Sequence, residues 1–277
     1  MAPRPVEKPW GRTDLAPPFA GLATQRGAIG EIIFDPPVGS DPELLVKFLF
    51  TSAKLSIQVH PGADEAGGRR GKDEAWVVIG AEPGATIGIG LRHPLSKAEL
   101  RAAALDGSLE AMVDWRPVKA GDCFYSPAGT IHAIGPGLSL VEIQQNCDVT
   151  YRLYDYGRPR ELHLDEAVDV ARPEPAAPSQ SPLQIAPHRT RMAGGAAFQV
   201  EKIDGPQAGR LVPPDEELWL ISVDGHGSVS GSALSGGHVW RIDEPCTLQL
   251  DQGSAFLAYP GKGISPVWEP GPARIEE

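Results

Sequence analysis

Cysteine is scarce and unpatterned in this chain: three residues, Cys123, Cys147 and Cys246, in 277, with no CxxC pair among them. That argues against a disulfide framework and a thiolate zinc site, and fits a reducing compartment. Long apolar runs are also missing. No stretch approaches the roughly 18 residues of a membrane span, and the opening MAPRPVEKPWGR has no apolar signal core. The sequence therefore predicts a cytoplasmic protein with no membrane partner. Basic charge is in deficit, 25 Lys and Arg against 36 Asp and Glu for a net −11. This argues against a nucleic-acid partner, and an anionic small molecule must meet a local basic pocket.

What the chain has in quantity is turn chemistry. Its 32 glycines and 28 prolines cut an otherwise ordinary hydrophobic content into short apolar runs, many of them β-branched or aromatic, which read as strands. AIGEIIF, LLVKFLF, LSIQV, AWVVI, ATIGIGL, LSLVEIQQ and VTYRLYDYG are the strands of a first unit. Within it LSKAELRAAALDGSLEAMVDW changes to a helical period: Ser96 and Glu99 have capping-box spacing, Leu100, Ala103 and Ala104 continue it, and Gly107 separates two short helices. LHLDEAVDVAR predicts another short helix, and the proline-rich residues 1–28, with the KPWG group, predict an extended segment around the unit. PEPAAPSQSP is a Pro/Ala/Ser linker. Beyond it AAFQVEKID, ELWLISVDG, GHVWRID, CTLQLDQG and SAFLAYP predict a second small β unit. The fold class expected is mainly β, with two jelly-roll barrels. The boundaries expected are a ligand-bearing domain over 1–172 with a helical insertion at about 95–115, a linker over 173–187, and a β domain over 188–277.

The chemistry concentrates between residues 54 and 80. In LSIQVHP, strand alternation puts Ser56, Gln58 and His60 on one face and Leu55, Ile57 and Val59 on the other. Glu74 opens AWVVI, and a hairpin-like return is expected to bring its carboxylate to His60. Downstream, Gly121, Pro127 and His132 have the spacing of the second cupin motif. A lone strand histidine is more often structural, but two histidines and a glutamate at motif spacing reverse that reading. Gln58, His60, Glu74 and His132 make an N/O ligand set with a position left open for water or substrate. Lys47, amid LLV and FLF, is either an edge charge or a buried cation aimed at a site. Arg152, beside aromatics in a strand, pairs a carboxylate or grips an anion. The second unit repeats the glycine-to-proline spacing in DQGSAFLAYP with one extra residue and no following histidine, so it reads as a degenerate cupin without metal.

Taken together, KPWG, LLVKFLF, LSIQVHP, GKDEAWVVI, PAGTIHAI and LVEIQQNCDVTYRLYDYGRP resemble the type I mannose-6-phosphate isomerases (phosphomannose isomerases), in their short bacterial form, over roughly residues 8–165. Two stretches differ: GEIIF stands where GExW is usual, and the GRRGK loop is rich in arginine. The resemblance implies one Zn2+ per chain on Gln58, His60, Glu74 and His132. It implies active-site lysines at Lys47 and Lys72, a serine near the phosphate at Ser56, a carboxylate at Glu142 and an arginine at Arg152. The partner implied is a sugar phosphate, and the chain is expected as a monomer or homodimer. Moving a proton between C1 and C2 through a cis-enediol needs a Lewis acid, a base and a cationic grip on phosphate. Arg152 is expected to stabilise the enediolate, Lys72 or Glu142 to handle the proton, and Ser56, Lys47, Arg69 or Arg70 to meet the phosphate. Two other classes fit the same ligands: an iron-dependent cupin oxygenase, because His60, Glu74 and His132 alone form a two-histidine, one-carboxylate set, and a non-catalytic sugar-sensing cupin.

Overall fold

The turn-rich sequence folds, in a computed structural model, into four antiparallel sheets with, among the described residues, three short α-helices. The structure describes residues 1–15, 17–22, 27–65 and 70–271. The first half carries β1 (Pro3–Arg12), β2 (Ile29–Phe34), β3 (Leu44–Phe50), β4 (Ile57–Val59), β5 (Glu74–Ala81), β6 (Thr86–Leu91), β7 (Val113–Pro117), β8 (Cys123–Ser126), β9 (His132–Ile134), β10 (Leu138–Gln145) and β11 (Tyr151–Tyr154). Helices α1 (Lys97–Asp106) and α2 (Leu109–Met112) lie between β6 and β7, and α3 (Leu164–Val170) follows β11. A six-stranded sheet has the order β1-β2-β3-β10-β5-β8, and a five-stranded sheet has the order β11-β4-β9-β6-β7.

The second half consists of β12 (Leu183–Ala186), β13 (Arg189–Gly194), β14 (Phe198–Asp204), β15 (Gln207–Leu211), β16 (Leu218–Ser222), β17 (His226–Val229), β18 (Ser232–Leu234), β19 (Val239–Ile242), β20 (Cys246–Gln252), β21 (Ser254–Pro260) and β22 (Trp268–Pro270). Its sheets run β12-β13-β14-β21-β16-β19 and β18-β17-β20-β15-β22. Adding eleven to every strand number of the first half reproduces both orders, so the chain uses one topology twice. The mainly β, two-unit architecture expected from the strand pattern is present, with the two sheets of each half left unclosed. The edge strands β1 and β8 of one sheet form no ladder with β7 or β11 of the other, so each half is an open pair of facing sheets.

Strand alternation sorts most of the buried apolar side chains of the sheets into four clusters. In β3, Leu44, Val46, Phe48 and Phe50 join a core that also contains Phe198, Trp219 and Phe256, so the six-stranded sheets of the two halves share one apolar interface. The opposite parity, Leu49 with Trp76, Leu138 and Leu140, faces Ile87, Ile89 and Ile134 of the five-stranded sheet inside the first half. On that sheet's outer face, Ile57, Val59 and Ala133 pack against Leu100, Ala103 and Ala104 of α1 and Ala167 of α3. The helical insertion thus covers a sheet face, and it starts where expected: Ser96 Oγ accepts from Glu99 N while the Glu99 carboxylate accepts from Ser96 N, with Gly107 closing the helix at φ 83°. The proline-rich N-terminus is an edge strand, β1, paired with β2 through a bulged register, and this brings Lys8 and Trp10 to the sheet interior.

Candidate functional site

Parity places the chemistry inside the first half. Because Ile57 and Val59 are committed to the helix-facing core, Gln58 must point into the space between the sheets, and it pairs across the ladder with His132 of β9. Glu74, first residue of β5, enters from the opposite six-stranded sheet. The hairpin expected between β4 and β5 does not form, since the two strands belong to different sheets; the carboxylate reaches His60 across the sandwich instead. His60, Glu74 and His132 are buried, and their ligand atoms lie within 4.8 Å of one another. Glu74 Oε1 is 3.2 Å from His60 Nε2, and Oε2 is 3.4 Å from His132 Nε2. Among the described residues this is the one group of three or more His, Cys, Asp or Glu that could share an ion.

The backbone fixes how these histidines present themselves. His60 Nδ1 lies 2.8 Å from Val149 O, and His132 Nδ1 lies 2.9 Å from Thr130 O. A carbonyl only accepts, so each Nδ1 carries the proton and each Nε2 keeps its lone pair for a cation. Burial lowers the His60 pKa to about 4 against the pull of Glu74, and it lowers that of His132 too. Burial alone would raise the Glu74 pKa, but His60, Lys72 and His132 reverse this and hold it well below the usual carboxylate range. Two neutral imidazoles and one ionised carboxylate are the charge state in which such groups bind a divalent metal.

The group opens on a cavity of about 100 Å³ lined by Lys8, Lys47, Lys72, Arg152 and Arg160 against Glu31, Glu74 and Glu142, with Trp10, Ser56 and Gln58 among its walls. Five cations face three carboxylates, a surplus of two positive charges in a chain of net −11. Most of these cations are engaged: Lys8 with Glu31 at 3.2 Å, Lys47 with Glu142 at 3.4 Å, Lys72 with Glu74 at 3.0 Å, and Arg160 with Asp155 at 2.6 Å. Arg152 has no carboxylate partner among the described residues; Nη1 donates to Glu161 O at 3.5 Å. Glu142 accepts from Trp76 Nε1 at 3.1 Å, and burial, with Glu74 nearby, raises its pKa even beside Lys47. Burial works against the Lys47 ammonium, but Glu142, Glu31 and Glu74 outweigh it and raise its pKa. A larger cavity, about 230 Å³, lies between Tyr125, Thr130 and the segment at Pro175–Gln180; it contains no ligand cluster.

Comparison with known proteins gives the same address. Mannose-6-phosphate isomerase of Streptococcus mutans is 44% identical over 153 residues, covering 51% of this chain and 48% of that protein. About half of the chain is similar to the mannose-6-phosphate isomerases. A Bacillus subtilis mannose-6-phosphate isomerase is 42% identical over 137 residues, covering 46% of this chain and 43% of that one. The chain thus spans about half the length of the curated relatives it matches. The solved mannose 6-phosphate isomerase of Bacillus subtilis superposes with a TM-score of 0.77 at 25% identity, covering 93% of this chain and 98% of that one. A phosphomannose isomerase variant from Salmonella typhimurium shares the fold, with a TM-score of 0.74 at 13% identity over 94% of this chain and 98% of that one. No family model matches the chain.

Of the positions that the isomerase resemblance singles out, Ser56, Gln58, His60, Glu74, Lys47, Lys72, His132, Glu142 and Arg152 all meet in or beneath this one cavity. Lys47 is the inward-facing cation rather than the edge charge, because β3 sits inside its sheet with β2 and β10 on either side. It donates to Gln144 Oε1 at 2.7 Å. Arg70 is held elsewhere, on Asp41 at 2.7 Å and Glu43 at 2.9 Å, and does not line the cavity. Arg69 lies outside the described residues. Sequence reasoning passed over Lys8, Glu31 and Arg160. Glu31 was within reach of it: in GEIIF the buried Ile32 and Phe34 face the interface between halves, so Glu31 has the inward parity that marked Lys47. Arg160 follows β11 in irregular chain, where no periodicity betrays a direction.

Proposed function

We propose that the protein is a zinc-dependent aldose–ketose isomerase that interconverts mannose 6-phosphate and fructose 6-phosphate through a cis-enediol. The observation that carries this reading is the juxtaposition of a buried, cation-ready His60–Glu74–His132 group with a pocket holding two surplus positive charges. The names of the relatives at 39–44% identity support the substrate. An oxygen and nitrogen donor set with neutral imidazoles suits zinc, and zinc bound there supplies a Lewis acid to the sugar oxygens. Gln58 joins as fourth ligand through Oε1. Its Nε2 now lies 3.3 Å from His132 Nε2 while Oε1 accepts from Ser56 Oγ at 3.0 Å; an amide flip exchanges the two, and the serine hydroxyl serves either as donor or acceptor.

The chain's own residues divide the remaining work. Arg152, the pocket cation free of a carboxylate partner, stabilises negative charge developing on the enediolate. Glu142, its pKa shifted upward by burial, is a carboxyl placed to give and take a proton at C1 or C2, and Lys72 stands beside the ligands as the second proton-handling group. Trp76 Nε1–H fixes one oxygen of Glu142 and leaves the other toward Lys47. The first test is a coupled assay for fructose 6-phosphate formation, before and after chelation and zinc restoration. Turnover is expected to vanish with the metal and return with zinc. His132→Ala is expected to abolish zinc retention, read by metal analysis, and to lower kcat by at least about a thousandfold; a metal-free variant with full turnover would sink the assignment.

A further inference from the structure

The cations of the pocket are graded by depth. Side-chain exposure rises from 7% at Lys72 and 16% at Lys47 to 27% at Arg160 and 32% at Lys8, so the metal-ligating group sits at the floor and Arg160 and Lys8 stand at the rim. A hexose 6-phosphate whose C1 and C2 reach the floor carries its phosphate at the far end of the carbon chain, towards that rim. The deep lysine and serine are occupied: Lys47 by Gln144 and Glu142, Ser56 by Gln58. At the rim, Lys8 is matched one to one by Glu31.

Arg160 is different. Its partner Asp155 is buried, and the same carboxylate also accepts from Arg158, through Nε at 3.1 Å and Nη2 at 2.5 Å. One carboxylate between two guanidiniums leaves one positive charge unmatched. The geometry says where that charge points: Arg160 Nε donates to Asp155 Oδ2 at 2.6 Å and Nη2 to Oδ1 at 2.7 Å. This edge-on grip consumes the Nε–H and one Nη2–H and leaves the Nη1 edge of the fork for a second ligand. Meanwhile Arg158 lies against the Tyr156 ring, 5.4 Å from its centroid, so Arg160 is the member of the pair that lines the cavity.

We propose that Arg160 is the specificity-determining residue that grips the phosphate of the substrate, and that Asp155 is its positioning residue. The inference rests on the isomerase reading for the identity of the sugar, but the anion can be tested apart from it. The experiment titrates inorganic phosphate into the zinc-loaded full-length protein by calorimetry. It compares wild type, Arg160→Gln, Asp155→Asn and, as a control for loss of one surface charge, Arg210→Gln, whose partner Glu269 lies far from the pocket in the second half. Phosphate affinity is expected to fall at least about tenfold in Arg160→Gln, the scale of a charge-assisted hydrogen-bond pair, and to hold in the control. In turnover, both Arg160→Gln and Asp155→Asn are expected to raise KM for mannose 6-phosphate with kcat largely kept, a split that general loss of folding does not produce. Wild-type phosphate affinity in Arg160→Gln, or no phosphate binding to wild type, overturns the proposal. Arg160-dependent phosphate binding in a protein that fails to turn over mannose 6-phosphate supports it and sinks the isomerase reading instead.

Discussion

At the scale of single residues, the chemistry depends on groups kept away from their ordinary protonation. His60 is neutral because burial lowers its pKa from 6.5 to about 4, while Val149 O and Thr130 O hold both rings by the nitrogen that a metal does not need. This has a cost that pH exposes. Between about pH 6.5 and pH 4 an unfolded chain protonates this imidazole and the folded one does not, so the unfolded state binds more protons and stability rises with pH. Glu74, with its pKa depressed, adds a loss of the same sign below the usual carboxylate range. The chelated protein is therefore expected to lose about 1.4 kcal/mol per pH unit through that window from His60 alone, read as falling urea midpoints. A flat stability from pH 7 to pH 4.5 would contradict the assigned environment of the histidine.

At the scale of elements, each piece of the site is delivered by something that has another job. The helical insertion carries no site chemistry, yet it shields the outer face of the sheet whose inner face holds Gln58 and His132. Its start rests on the reciprocal Ser96–Glu99 box. Ser96→Ala is expected to lower stability by about 1 kcal/mol, with amide exchange accelerated first over α1 and KM unchanged; protection that stays as in wild type would mean that packing of Leu100 and Ala104 alone holds the helix. The same elements show what a sequence can disclose. Gln58, His60 and His132 were legible because strand parity and motif spacing are local properties. The partnership of Glu74 with His60 was also legible, but its route was not: nearness in sequence implied a hairpin, whereas β4 and β5 face each other from separate sheets, a choice made by β10 pairing with both β3 and β5. Arg160 was invisible because its direction is set by Asp155, and no period links the two.

At the scale of the molecule, one topology serves twice with opposite fillings. Where the first half has Glu74, Lys47 and Glu142 inside, the second has Leu211, Leu218, Leu220, Leu248 and Leu257 around a closed network in which Glu201 accepts from both Arg189 and Tyr259. The second half supports the first through the interface of the six-stranded sheets. There Glu217 takes the backbone N–H groups of Glu43 and Leu44 at 2.7 and 2.9 Å, at the start of the strand that carries Lys47, and also accepts from Trp219 Nε1 at 2.8 Å. Trp219 itself is fully buried against the shared core. Trp219→Ala, in the half opposite the His60–Glu74–His132 group, is thus expected to cost about 3–5 kcal/mol. Because the lost contacts belong to both halves, fluorescence, far-ultraviolet dichroism and zinc release should report one coincident transition at a lower temperature. If zinc release kept its wild-type midpoint while the rest of the protein melted early, the halves would be independent and the shared core would be packing without consequence for the site.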